Sequence, residues 1–277
     1  VEHRGRALEL LICDPRPGLG PGSEFRAWVR GARRLKLGDE VRGGDCVACY
    51  VGPDPVDPRA RRFRVAAGEW MTELLARGEV PLPPYIRRPE GPTPEDAARY
   101  QTIYAAAPGS VAAPTAGLHW EPEVLAQLDV VRLTLHVGPG TFLPIEASDV
   151  REHRVGAERI EIGAEAATRI AEAKAAGRPV VAIGTTVTRA LEAIALQHGG
   201  AIPRTGFAGT TDLVITPGFA FKVVDVLVTN FHLPRSSLLM LVCSFGGLKR
   251  VLSAYAEAVA QGYRFYSYGD CMLVTRA

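Results

Sequence analysis

The chain has 277 residues, 47% hydrophobic and 22% charged, with a formal net charge of +2 at pH 7. This balance excludes a disordered chain and a molecule that binds polyanions by bulk charge, and the length suffices for one large domain or two ordinary ones. The longest apolar run, Ser237 to Phe245, is about half of what a bilayer span needs. The opening residues VEHRGRALELL lack a charged-then-apolar-then-small pattern, so a cytoplasmic protein without membrane partners is expected.

The charge is unevenly spread. Residues 1–88 hold 16 Arg/Lys against 12 Asp/Glu, and residues 89–277 hold 16 against 18. Basic clusters stand at Arg30, Arg33, Arg34 and Lys36 and again at Arg59, Arg61, Arg62 and Arg64. They read either as solvated strand edges or as a surface for a phosphate backbone. Among five cysteines, Cys46 and Cys49 form a C-x-x-C with no second pair after it, short of the four ligands a zinc ribbon needs. They read as two strand residues facing the same way in a reducing compartment, and no metal site is expected. Arg far outnumbers Lys and Ala is abundant, as in a protein made for heat or one encoded by a GC-rich genome. Asn occurs once, as Asn230 within TNFHLP, which marks its amide for a specific task.

In chain order, Ala7–Cys13, Phe25–Arg30, Asp45–Val51 and Arg61–Ala66 are short β-forming segments separated by Gly/Pro/Asp turns. Such spacing predicts a small β-barrel domain over residues 1–80. Glu69–Ala76 reads as a brief helix ending at Gly78. The Pro-rich stretch Pro81–Pro94 admits neither helix nor central strand and marks the domain boundary. Beyond it, helices are expected over Pro94–Ala105, Glu121–Leu128, Ala164–Ala176, Thr186–His198 and Arg250–Gln261. Strands are expected over Val130–Val137, Pro179–Ile183, Thr211–Ile215 and Val226–Val228. The alternation predicts an α/β layered sandwich domain over residues 81–277.

The strongest local signal is VVAIGTTVTRALE, residues 180–192. A buried strand ends at Gly184, and Thr185 or Thr186 caps the following helix, a geometry that attracts an anion. Thr185, Arg189 and Glu192, spaced 4 and 3 apart, share one helix face. That suits a zwitterion, though an ordinary capped helix with an Arg–Glu surface pair would look the same. In PGSVAAPTAGLHW (108–120), small residues around Thr115 and Gly117 allow close approach of a ligand, and His119 stands at an element start. In TLHVGPGTF (134–142), His136 ends a strand, where ligands of α/β sheets collect. In VLVTNFHLPRSSLLMLV (226–242), Asn230 and His232 follow a strand, and the amide can read a base edge. In YRFYSYGDCMLV (263–274), Tyr268 and Asp270 suit a nucleobase, yet a core strand would read alike. A hydrolase reading lacks G-x-S-x-G, and a zinc reading from His119, His136, His153 and His232 lacks a close pair.

Taken together, LPPYIRRPE, RYQTIYAAAPGSVAAPTAGLHW, LTLHVGPGTFLPIE, AIGTTVTRALEA, TPGFAFKVVDVLVTNFHLPRSSLLMLV and YSYGDCMLV resemble the S-adenosylmethionine:tRNA ribosyltransferase-isomerase family of queuosine biosynthesis. The resemblance is dense over residues 82–277 and holds in outline over residues 1–80. It implies an α/β domain with an inserted β-barrel domain, here without the family's usual N-terminal segment and so without the first strands of the α/β domain. It implies transfer and isomerisation of the ribosyl moiety of S-adenosylmethionine onto 7-aminomethyl-7-deazaguanine at the tRNA wobble position. The products are epoxyqueuosine, adenine and methionine. S-adenosylmethionine would be a co-substrate, with no cofactor, and a monomer is expected.

Physically, the sulfonium acidifies the adjacent 5′ C–H, so the chemistry asks for a base, an acid and a dry pocket. The resemblance places His119, His136 and Asp270 as catalytic candidates. Thr115, Gly117, Gly184, Thr185, Thr186, Arg189, Glu192, Asn230, His232 and Tyr268 are candidates for holding substrate, and Arg33, Arg34, Arg87 and Arg88 for gripping tRNA phosphates. Departures from the family pattern are mild: Trp120 after the His, Pro139 in V-G-P-G-T-F, and Thr188. Two rivals are a non-catalytic tRNA-binding relative, which would release no adenine, and a methyltransferase, which would release S-adenosylhomocysteine.

Overall fold

The computed structural model describes residues 1–277 except 144 and 146–148 and the side chain of residue 151; the LPIE end of the motif at 134–146 therefore lies partly outside the described residues. Two compact units form, residues 1–98 with 106–112 and residues 99–105 with 113–277. Residues 81–98, expected to open the second domain, pack in the first unit.

In the first unit, strands β1 (Glu2–His3), β2 (Arg6–Ala7), β3 (Leu10–Ile12), β4 (Glu24–Val29), β5 (Glu40–Gly43), β6 (Cys46–Pro53) and β7 (Ala60–Ala67) make one antiparallel sheet in the order β2-β1-β5-β6-β7-β4-β3. This is the small β unit expected from the sequence, with its ladder in open order rather than closed into a barrel. Alternation sets the buried face: Phe25 and Ala27 of β4, Ala48 and Tyr50 of β6, and Phe63 and Val65 of β7 all point inward. Phe25 stacks on Phe63 at 5.4 Å and meets Trp70 at 5.2 Å. Trp70 opens α1 (Trp70–Arg77), where the Glu69 carboxylate accepts from the Thr72 amide at 2.9 Å. Cys46 is buried and Cys49 faces the other side of β6. An odd separation along a strand inverts the face, which corrects the expectation that the two thiols point the same way.

α2 (Pro94–Arg99) stops short of the expected Ala105. The Gln101 side chain takes up the Thr102 amide at 2.8 Å, offering the backbone an alternative to the helix. In the second unit, α3 (Pro122–Leu125) and β8 (Thr134–His136) are shorter than expected. β9 (Glu158–Ile162), α4 (Ala164–Ala175), β10 (Val181–Ile183), α5 (Thr185–Gln197), β11 (Phe207–Thr211), β12 (Val226–Asn230), α6 (Ser237–Gly246), α7 (Leu248–Ala260) and β13 (Cys271–Thr275) complete it. One sheet is β10-β12-β13, with β10 parallel to β12 and β13 antiparallel to it; the other is antiparallel β11-β9-β8. A shared core joins Ile160 and Ile162 of β9, Ile170 of α4, Leu191 and Ile194 of α5, Leu227 of β12, and Leu241 and Phe245 of α6.

β11 lies four residues ahead of the expected Thr211–Ile215. A Cβ at Gly206, whose φ is 84°, would meet the Ile162 carbonyl at 2.6 Å, and this close approach sets where pairing with β9 begins. No single helix among the described residues is long and apolar enough to cross a membrane.

Candidate functional site

The site is built where four pieces of the second unit meet: the ends of β10 and β12, the 3-10 turn Thr115–His119, and the loop 264–270 before β13. The Gly184 amide donates to the Val228 carbonyl at 2.8 Å, so β10 and β12 end side by side. Gly184 is itself the N-cap of α5, at φ 95°, with no side-chain cap. Thr185 is buried and Thr186 half-buried inside the helix, which corrects the expectation that one of them caps it. The first N–H groups of α5 thus have no side-chain acceptor at the cap, and they carry the helix's positive end. A Cβ on Gly184 would lie 3.5 Å from that of Ala116, so the 3-10 turn packs directly on this helix start.

The same turn reaches β12 through His119. The His119 Nε2 lies 3.2 Å from the Asn230 Nδ2, and that amide also donates to the carbonyls of Tyr266 at 3.0 Å and Ser267 at 3.4 Å. Asn230 is 2% exposed, and its Oδ1 is buried with no partner among the described residues. His119 itself is exposed. The loop that supplies the two carbonyls is locked from within. The Asp270 carboxylate accepts from the Arg264 amide at 2.7 Å and from its guanidinium at 3.2 Å. These contacts, the backbone N–H first, hold the carboxyl below the usual Asp range. Asp270 is therefore an ionised staple of the loop. Gly269 has no room for a side chain, since a Cβ would stand 2.4 Å from the Arg264 carbonyl.

Other candidates are committed elsewhere. The Glu192 carboxylate is fully buried and accepts from the amides of Lys222, Val223 and Val224 at 2.7 to 3.0 Å, so its oxygens serve the backbone of that segment. Arg189 pairs with buried Glu158 instead of Glu192, whose own carboxyl is pushed up by burial while Arg189 pulls it down. The expected Arg189–Glu192 face is therefore absent. His232 bonds Thr229 through Nε2 at 2.8 Å, and burial holds its pKa at about 4. It is a neutral turn residue. Gly117 makes room for its own chain: a Cβ there would overlap the Tyr104 hydroxyl. Thr115 is half-buried at the start of the 3-10 turn. His136 ends β8, paired in register with Arg159. Tyr268 is exposed, edge-on to Tyr100 at 6.0 Å and with Arg99 6.0 Å from its ring centre.

In the first unit, Arg33, Arg34 and Arg87 are exposed and make no ion pair among the described residues. Arg88 differs, gripping buried Asp96 with two hydrogen bonds at 2.7 and 2.6 Å and holding that carboxyl far below its usual range. Its charge is paired with Asp96, although its own side chain stays exposed.

Sequence reasoning missed the carbonyls of Tyr266 and Ser267 and the closely packed Tyr104. Backbone acceptors leave no trace in residue identity, although the Gly269-Asp270 pair was a signal that the loop is tightly turned. Among the described residues no group of three or more His, Cys, Asp or Glu could hold a metal ion. A hollow of about 320 Å³ lined by His153, Arg154, Asp212, Val214 and Thr216 includes none of the candidate residues. It is an open surface depression, and the buried polar junction at β12 is the better guide to chemistry.

Strand-end loops gathered around an uncapped helix start and an imidazole–amide pair define an α/β protein with a polar junction at the ends of β10 and β12. A family model described as "Queuosine biosynthesis protein" matches residues 1–274. The chain belongs to that family. An S-adenosylmethionine:tRNA ribosyltransferase-isomerase from Methylobacterium sp. (strain 4-46) is 51% identical over 269 residues, 91% of this chain and 74% of the relative. A protein of the same name from Anaeromyxobacter sp. (strain Fw109-5) is 48% identical over 283 residues, 99% of this chain and 79% of the relative. Among solved structures, an S-adenosylmethionine tRNA ribosyltransferase from Thermotoga maritima is 30% identical, covering 97% of this chain and 75% of that one, with a TM-score of 0.47.

Proposed function

We propose that the chain transfers and isomerises the ribosyl moiety of S-adenosylmethionine onto 7-aminomethyl-7-deazaguanine at the tRNA wobble position, giving epoxyqueuosine-tRNA, adenine and methionine. The observation that carries this reading is the family match over residues 1–274, joined by two relatives of that name near 50% identity. S-adenosylmethionine serves as co-substrate and no cofactor is needed. The protein acts as a cytoplasmic monomer, and the first unit is the counterpart of the family's inserted β domain.

The N–H groups at the start of α5, from Gly184 to Thr186, receive the methionine carboxylate, for which a helix start is well suited. His119 faces the substrate as the proton-handling group, with Thr115 on the same turn. His136 remains the candidate base, and Tyr268 offers a ring face to a base. Arg33, Arg34 and Arg87 meet the tRNA backbone as free cations.

Incubation with precursor tRNA and S-adenosylmethionine tests the reading. Adenine and methionine should appear in equal amounts with the modified tRNA. Release of S-adenosylhomocysteine, or binding of tRNA without adenine release, would replace it with one of the rivals. Substituting His119→Ala should lower turnover by about a hundredfold or more; unchanged turnover would remove His119 from the chemistry.

A further inference from the structure

We infer that Asn230 is a positioning residue that fixes the tautomer of His119, placing the ring proton on Nδ1 and so presenting a hydrogen-bond donor, not a base, to the substrate. The inference rests on the proposed activity for its functional meaning, but its structural content stands on geometry alone. An Asn side chain can in principle turn either its NH2 or its oxygen toward a neighbour. Here the choice is made by the backbone. The Nδ2 lies 3.0 Å from the Tyr266 carbonyl and 3.4 Å from the Ser267 carbonyl, both of which only accept. A flipped amide would set its oxygen against two carbonyl oxygens in a site where Asn230 is 2% exposed, at the cost of several unmade bonds.

With Nδ2 pinned as donor, the His119 Nε2 at 3.2 Å must accept, and a neutral ring that accepts at Nε2 carries its hydrogen on Nδ1. The His119 ring makes no other hydrogen bond among the described residues, its side chain is exposed, and the ionised Asp270 acts on it through charge. Nδ1–H is therefore left for a ligand.

The carbonyls that enforce this are themselves held. The Tyr266 amide donates to the Phe231 carbonyl at 3.0 Å, and the Asp270 amide donates to the Arg264 carbonyl at 2.8 Å. Tyr266 sits at φ 74°, a conformation a non-glycine residue keeps only when its surroundings impose it. Asp270 thus acts on His119 in two ways: by its charge, and by stapling the loop that orients Asn230. A donor aimed from Nδ1 favours a substrate atom that gains negative charge as the reaction proceeds. The base role then falls to another group.

The test is the nitrogen spectrum of the purified chain labelled at its six histidines, with the His119 signals identified by their loss in His119→Gln. Long-range proton–nitrogen correlations separate the two tautomers directly. The expected result is the Nδ1–H form in the wild-type chain, a mixture in Asn230→Ala, and the Nε2–H form in Asn230→Asp, whose carboxylate only accepts. An Nε2–H ring in the wild-type chain overturns the inference, as does a tautomer unmoved by both substitutions. If neither variant folds, the wild-type spectrum still decides. Adenine release is measured in parallel. A wild-type chain with the Nδ1–H form and no adenine release keeps this inference and sinks the proposed activity. An active chain with the Nε2–H form does the reverse. Where both stand, Asn230→Ala should lower kcat by about a hundredfold while KM for S-adenosylmethionine stays within about a factor of two, since the carboxylate-binding helix start is untouched.

Discussion

In the first unit the core is a slab of aromatic and aliphatic side chains, Phe25, Phe63, Trp70, Val41 and Ala48, with the arginines outside it. In the second, the buried set includes Glu158, Thr185, Thr188, Glu192, Thr211, Thr229, Asn230 and Ser267 alongside its aliphatic core. The first unit gets its stability from area removed from water, and polar groups inside it, such as Asp96, serve a local turn or pair. The second sets polar side chains among loops whose backbone N–H and C=O groups no regular ladder satisfies. Glu192 answers three amides of the segment 222–224, and Asn230 answers two carbonyls of the loop 264–270. Such loops are what a site requires, and the buried polar residues are what makes them rigid.

The sharpest way to break this comparison is Glu192→Ala. It strands three amides inside the second unit and should cost about 4 kcal/mol or more, read as a shift of the denaturant midpoint. A stable variant that merely binds S-adenosylmethionine less well would restore Glu192 to the substrate and undo the contrast. Next in size is Arg189→Met, which leaves Glu158 as an unpaired buried charge and should cost about 3 kcal/mol at pH 7. Burial already raises the Glu158 carboxyl, and removing the cation raises it further. A carboxyl raised in the folded state favours folding as it takes up its proton. The deficit of Arg189→Met should therefore shrink as pH falls from 7 toward 5. A pH-independent deficit would mean that Glu158 is not the reason for it.

The two units also differ in how far they could be read from residues alone. Phe25–Arg30, Asp45–Val51 and Arg61–Ala66 announced β4, β6 and β7 through β-forming residues set between Gly/Pro/Asp turns, and α4 and α5 were expected over Ala164–Ala176 and Thr186–His198. β5 and β9 were not, because EVRG and ERIEI alternate charged with apolar residues over too few positions to stand out. At the site, Gly184, His119 and Asn230 were legible as an unusual glycine, a lone imidazole and the single Asn of the chain. Their partners were not. That Glu192 points at the backbone of 222–224 rather than at Arg189 depends on which loop lies over α5, a fact of tertiary packing that the spacing of helical residues does not contain.

His232 offers a smaller test of the same contrast. Burial holds its imidazole at about 4, against 6.5 for the unperturbed group. The unfolded chain takes up this proton below its usual value, while the folded chain takes it up only near 4. Its contribution is fully present above pH 6.5 and is lost as pH falls toward 4, at most ~3 kcal/mol over that window. His232→Gln should flatten the acid limb of the stability profile, measured by urea unfolding at pH 7, 6, 5 and 4. An unchanged acid limb would place the pH sensitivity elsewhere.

The smallest stability effect is expected where the first unit keeps its charge outside. Arg33 and Arg34 stand exposed on the 3-10 turn Ala32–Arg34 and make no ion pair among the described residues, so replacing either with Ala should alter stability by less than about 0.5 kcal/mol. Their effect belongs to binding. Each should weaken tRNA affinity and reduce the slope of log affinity against log salt by roughly one, because each releases about one counterion from the phosphate backbone. Arg88→Ala is the control in the same unit. Its guanidinium is already neutralised by buried Asp96, so it should cost stability and leave the salt slope where it was. If Arg88→Ala lowers the salt slope as much as Arg33→Ala does, then a paired arginine and a free one are equivalent to tRNA. The distinction drawn between charge used inside the fold and charge held outside it would then fail for this unit.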